Sequence, residues 1–137
     1  MTTYRVATAF DLPVFVSLDK ELFPYSPWSA SQYKEEFSAP TRHFVVALDE
    51  AQNIIGYAGV FAPGGAEADV LTVGVVPSQR GKGIARHLIA LITDWAGQQG
   101  STAMMLEVKV DNLEAIGLYE SLGSQSSMFA RITLAQV

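Results

Sequence analysis

Apolar positions recur along this chain at two spacings, and each change from one spacing to the other marks a new element. Tyr4 to Ala7 reads as a short strand. Leu12, Phe15, Val16, Leu22 and Phe23 then return at roughly helical spacing, with Asp11 placed to cap the helix and Pro13 in its first turn, where a missing N–H costs nothing. Ser29-Ala30-Ser31-Gln32 fits a capping box and predicts a second short helix, which Pro40 ends.

Beyond Pro40 the pattern tightens. His43 to Leu48 and Ile54 to Phe61 are apolar and partly β-branched, and the polar stretch Asp49 to Asn53 between them reads as a hairpin loop. Pro63-Gly64-Gly65 is a further turn, followed by a strand from about Ala68 to Val76. Residues 83 to 96 carry the clearest helical stripe, with Ile84, Leu88, Leu91 and Trp95 flanked by Ala85, Ile89, Ile92 and Ala96, and with Gly97 and Gly100 expected to close it. Thr102 to Val110 reads as a strand, Asn112 to Leu122 as a helix stopped by Gly123, and Met128 to Leu134 as a final strand. No repeat or low-complexity linker interrupts this order, so one mixed α+β domain is expected over residues 1–137, antiparallel in front with a strand–helix–strand crossover behind.

Composition narrows the chemistry. A hydrophobic fraction of 49% against 17% charged residues is that of a folded chain. With no cysteine there is no disulfide scaffold, thiolate metal site or cysteine nucleophile. His43 and His87 stand too far apart for metal-ligand spacing, so no metal is expected, and both read as structural or surface residues. A net charge of −5 and a pI near 4.9 argue against nucleic-acid binding and leave room for a local anion site. No apolar run approaches the length of a membrane span, and the first residues lack a secretory pattern, so a cytoplasmic protein is expected.

The segment richest in chemistry is Val73-Gly74-Val75-Val76-Pro77-Ser78-Gln79-Arg80-Gly81-Lys82-Gly83-Ile84-Ala85. A buried strand runs into a turn holding two glycines and two cations, and then directly into an amphipathic helix. Gly81 and Gly83 allow close approach of a ligand to the backbone, the N–H groups of the helix start converge on one spot, and Arg80 and Lys82 add charge there. That combination suits a phosphate. A Walker A loop is excluded, because Gly83 follows Lys82 where Ser or Thr is required and Val76 stands five residues before Gly81. The dinucleotide fingerprint fails at Arg86, which occupies the place of its third glycine. An ordinary strand–turn–helix junction with a solvated basic turn is the alternative. No Gly-x-Ser-x-Gly elbow is present to support serine hydrolase chemistry.

Arg80-Gly81-Lys82-Gly83-Ile84-Ala85 resembles the Arg/Gln-x-x-Gly-x-Gly/Ala coenzyme-A motif of the GNAT acyltransferase superfamily. Leu106-Glu107-Val108-Lys109-Val110-Asp111-Asn112 and Ala115-Ile116-Gly117-Leu118-Tyr119-Glu120-Ser121-Leu122-Gly123 resemble two signatures of its ribosomal-protein alanine N-acetyltransferase (RimI-type) branch, and Pro27-Trp28-Ser29 is similar to a segment common there. The resemblance covers about residues 4 to 123 and implies a GNAT-type α/β fold, with a mixed, mostly antiparallel sheet and helices on both faces.

It also implies roles. Val73, Gly74 and Val75 would pair through their backbone with the pantetheine arm of acetyl-CoA, and the amides around Arg80, Gly81, Lys82, Gly83, Ile84 and Ala85 would hold its pyrophosphate. Gly74 suits a strand position where a chain-like group comes close. Val73 and Val75 also read as plain sheet core. Glu107 interrupts an apolar strand, where a buried unpaired carboxylate is costly. It matches the family's general base, and its bland reading is a solvent-facing residue of an alternating strand. Asn112 reads as a helix cap and, by resemblance, as an acetyl-CoA contact. Tyr119 shares a helix face with Ala115, Leu118 and Leu122, so it reads either as core or, by resemblance, as the proton donor to the departing CoA thiolate. Trp95 fits the helix stripe, whereas Trp28 lies where this superfamily often borders its acceptor.

The expected reaction is acetyl transfer to a primary amine, most simply a protein N-terminal amine such as the alanine terminus of a ribosomal protein. A lysine or small-molecule acetyltransferase on the same scaffold, or a catalytically silent CoA- or partner-binding module, are the alternatives. Ser124 follows Gly123 where an aromatic residue is usual, and the segment after Gly123 is shorter than in most family members, so an open acceptor side is expected.

Overall fold

The computed structural model describes residues 1–23, 28–109, 116–121 and 129–135, the stretches 107–109 and 129–135 by their backbone alone. Its strands are β1 (Thr3–Val6), β2 (Arg42–Leu48), β3 (Ile54–Phe61), β4 (Glu67–Val75), β5 (Ala103–Lys109) and β6 (Phe129–Ala135). The longer helices are α1 (Leu12–Leu22), α2 (Ala30–Ser38) and α3 (Ile84–Gln98), and residues 116–121 are also helical. The six strands form one sheet in sequence order. Pairing is antiparallel from β1 through β4 and parallel between β4 and β5 and between β5 and β6. The expected mixed, mostly antiparallel sheet is what forms.

Alternation along β2 explains why two layers of helix are needed. Phe44, Val46 and Leu48 face a core shared with Phe15 of α1 and Tyr33 of α2, whereas Val45 and Ala47 face Leu88, Ile92 and Ala96 of α3. A strand apolar on both faces must be covered on both, and α1 with α2 covers one side while α3 covers the other. Burying one such aliphatic side chain stabilises by about 1.5–3 kcal/mol, so each layer outweighs any single surface contact.

The capping signals divide. Ser29 Oγ accepts from Gln32 N at 3.2 Å while Gln32 Oε1 accepts from Ser29 N at 2.7 Å, the reciprocal box expected at α2. Asp11 is the N-cap residue of α1 with Pro13 in the first turn, but its side chain makes no cap hydrogen bond. Its carboxylate turns back to accept from Thr8 N at 2.7 Å and takes both guanidinium nitrogens of Arg5, at 2.7 and 2.9 Å. A charge-assisted fork of this kind outcompetes one more orphan amide at a helix start. Gly97 lies inside α3, which runs on to Gln98, and Gly100, with φ of +98°, follows its end.

Candidate functional site

Strands β4 and β5 begin side by side and then part. They are paired at Glu67 with Ala103, Ala68 with Met104 and Asp69 with Met105, and no further pair joins them among the described residues. On its other edge β4 stays paired with β3 as far as Val75 opposite Gly56. The register with β3 slips between Gly59, opposite Thr72, and Val60, opposite Val70, which leaves Leu71 as an extra residue. A bulge of this kind bends its strand and increases the local twist. It falls within two residues of the last β4–β5 pair. The wedge thus opened leaves the far edge of residues 70–75 without a neighbouring strand among the described residues.

The end of β4 leads into the glycine turn. Val76 N donates to Ile55 O at 2.9 Å, a 3-10 turn covers Pro77–Gln79, and Arg80 Nε donates back to Val75 O at 3.2 Å. Gly81 and Gly83 both have φ of +79°, a backbone conformation that side chains with a Cβ adopt only under strain. A Cβ built on either would meet nothing within 4 Å, so the backbone at both positions faces open space. Gly83 is the N-cap of α3 and no side chain caps the helix there, so the orphan N–H groups of its first turn remain for a ligand. Successive amides curled about positive-φ glycines at a helix start suit an anion of phosphate size.

A cleft of about 550 Å³ joins these parts. Val73, Gly74, Val75, Arg80, Gly81, Gly83, Ile84 and Ala85 line it, and so does Tyr119 from the 116–121 helix. Two segments distant in the sequence therefore line one cleft. Burial raises the Tyr119 hydroxyl above its ordinary pKa, which keeps the proton in place through the neutral range. Lys82 is not part of the lining. Its Nζ, on the exposed side of the turn, donates to Gln79 Oε1 at 3.0 Å. Glu107 lies on β5 opposite Thr133 of β6, with its side chain outside the described residues, and Asn112 lies wholly outside them.

Gly74 owes its lack of a side chain to an internal neighbour. A Cβ there would stand 2.9 Å from the Tyr57 ring and 3.0 Å from Leu22 Cδ1. The histidines pack away from the lining, His43 stacked on Trp95 at 4.8 Å and His87 on Tyr4 at 3.9 Å. Trp95 is partly buried against the α3 core, and Trp28 packs 4.9 Å from Tyr33.

Sequence reasoning missed Leu22, Phe23 and Arg86, which also line the cleft, and a buried carboxylate on the helix that carries Leu22. Asp19 of α1 is 2% exposed and accepts from Trp28 N at 2.6 Å, Tyr33 Oη at 2.7 Å and Tyr57 Oη at 3.0 Å. Its position was the available signal. Asp19 stands four residues after Phe15 and three before Leu22, in the middle of the apolar stripe.

A model described as the acetyltransferase (GNAT) family matches residues 12–124. N-alpha-acetyltransferase RimI of Mycobacterium tuberculosis is 34% identical over 127 residues, covering 90% of this chain and 78% of that protein. An uncharacterized protein of Mycobacterium leprae is 35% identical over 120 residues, 85% of this chain. A mycothiol acetyltransferase of Renibacterium salmoninarum is 36% identical over 85 residues, 58% of this chain. The chain spans only 32% and 25% of the length of those last two proteins. Among solved structures, Arabidopsis thaliana NAA60 in complex with acetyl-CoA superposes with a TM-score of 0.80 at 20% identity, covering 90% of this chain and 84% of that one. A ribosomal-protein alanine N-acetyltransferase from Escherichia coli does so with a TM-score of 0.78 at 24% identity, covering 90% and 77%.

Proposed function

Because this chain belongs to the GNAT acetyltransferase family, we propose that it transfers the acetyl group of acetyl-CoA to a primary amine, with a protein N-terminal α-amine as the favoured acceptor. The observation that carries this reading is the wedge between β4 and β5 with the glycine turn at its mouth. An open strand edge and an anion cradle in one cleft match a ligand with an amide-bearing arm and a pyrophosphate. The backbone of Val73–Val75 takes the arm, the amides of residues 80–85 take the pyrophosphate, and Asn112 adds a further contact.

Acetyl-CoA supplies an acetyl thioester at the cleft; the chain does the rest. Glu107 accepts the proton of the attacking amine, and Tyr119 donates one to the leaving sulfur. Amine and thioester meet in a single complex, so proximity lowers the barrier and no acetylated side chain is required.

Acceptor chemistry favours an α-amine. With a pKa near 7.8, roughly 10–20% of such an amine is neutral at pH 7, against well under 0.1% for a lysine near 10.4. A single carboxylate base therefore has far less to do for an N-terminus. The likeness to the M. tuberculosis N-alpha-acetyltransferase over 90% of this chain supports the same choice. A small-amine acceptor is the second reading, supported by the likeness to a mycothiol acetyltransferase. No helix among the described residues is long and apolar enough to cross a membrane, and a cytoplasmic enzyme accords with that.

Mass-spectrometric acetylation of a panel tests the reading. The panel holds N-terminal peptides, among them a ribosomal-protein alanine terminus, together with lysine peptides and small amines. Preferential acetylation of α-amines is the expected result, and transfer confined to small amines overturns the choice of acceptor.

A further inference from the structure

The carboxylate of Asp19 joins two walls of the cleft without lining it. On one side Asp19 belongs to α1, whose last turn, closed by the Phe23 N to Asp19 O bond at 2.8 Å, carries Leu22 and Phe23 into one wall. Its Oδ2 holds the start of α2 through Trp28 N. On the other side its Oδ1 takes the hydroxyls of Tyr33 and Tyr57, and the Tyr57 ring packs against Gly74 of the β4 wall. Burial, reinforced by the neighbouring Asp19 carboxylate, pushes both phenols well above their ordinary pKa, so both remain donors to it. A carboxylate this deeply buried is costly unless its donors are all in place, and here three are. An apolar residue at this point of the stripe would pack without that cost, but it would tie α1 to neither α2 nor β3.

We propose that Asp19 is a positioning residue that sets the separation between the α1 wall and the β4 wall, and through it the grip on the acceptor. The assignment rests on the reading above, in which the strand edge and the glycine turn serve acetyl-CoA and Leu22 and Phe23 are left to face the acceptor. Neither substrate touches Asp19. Its loss acts on acceptor binding because both holds on the cofactor have supports of their own: the ladder to β3 keeps Val73–Val75 in place, and residues 80–85 hang on β4 and α3.

Two variants test this. Asp19→Asn keeps the volume but offers one oxygen to three donors. Tyr57→Phe removes one hydroxyl and leaves the ring against Gly74, so it survives if the first variant folds poorly. The expected result for each is an acceptor KM raised about five- to tenfold, with the acetyl-CoA Kd by calorimetry within about twofold of wild type. Hydrogen exchange should show residues 18–23 and 30–33 losing protection together while 73–75 and α3 keep theirs. Unchanged acceptor KM, a parallel loss of acetyl-CoA affinity, or exchange that rises in 73–75 as well would overturn the proposal. A wild-type protein that acetylates no amine in the panel defeats the functional reading instead, and the exchange measurement still decides whether Asp19 holds the α1 wall.

Discussion

Arg86 donates from Nη2 to Ser121 Oγ at 2.8 Å, joining the first turn of α3 to the helix that carries Tyr119. The link spans two segments 35 residues apart, and Arg86 and Tyr119 both line the cleft. Ser121→Ala should therefore loosen Tyr119 more than the cofactor cradle. We expect kcat to fall about three- to tenfold, the scale of one hydrogen bond, with the acetyl-CoA Kd nearly unchanged. Steady-state kinetics alongside calorimetry will separate the two.

Gly83→Val places a branched side chain at φ of +79° in the open space of the turn. Strain should cost about 1–2 kcal/mol of stability, readable in urea unfolding. CoA affinity should fall more than tenfold, because the new side chain would occupy the place proposed for the phosphate. Retained affinity in calorimetry would remove the turn from the cofactor site.

Tyr119→Phe and Glu107→Gln probe the two proton transfers. Each should lower turnover by about 10²-fold with acetyl-CoA binding intact. Since burial raises the Tyr119 pKa, the wild-type enzyme should keep kcat through neutral and mildly alkaline pH and lose it only above the ordinary tyrosine range. That alkaline loss should vanish in Tyr119→Phe, and a pH profile of kcat for both proteins checks it.

Away from the site, the Arg5 guanidinium, with the Thr8 amide after it, holds the Asp11 carboxyl below its usual pKa. The stability this pair contributes is fully present above the unfolded carboxylate value of about 3.9 and is lost as pH falls through the lower folded value. Asp11→Asn should cost about 1–3 kcal/mol at pH 7, and the difference from wild type should close as the solution is acidified. Urea melts from pH 2 to 7 give both numbers.

What could be read from the chain divides by the range of the interaction. The Ser29–Gln32 box and the α3 stripe were legible because both rest on partners within a few residues. Asp11 was misjudged at that same range, because Thr8, three residues before it, supplies the amide and Arg5 the charge. The glycine turn at the start of α3 was legible from its residue types. The wedge beside it was not, because nothing in Glu67–Val75 announces that pairing with β5 stops after Asp69. Asp19 was signalled only by its place in the apolar stripe, and what it binds was not legible, because its partners Tyr33 and Tyr57 lie 14 and 38 residues away and read as ordinary aromatic core.

The parted strands also bear on how the protein keeps from sticking to itself. Residues 73–75 line the cleft with a strand edge that no strand among the described residues pairs, the kind of template that invites a strand from another chain. A bound pantetheine arm would cover that edge as a short extra strand does. Cofactor binding would then cap a vulnerable sheet edge as well as deliver the acetyl group, and stabilise the folded state by mass action. Refolding with CoA present should yield more monomer and less precipitate than refolding without it, and the Gly83→Val variant should lose that protection while its fold persists.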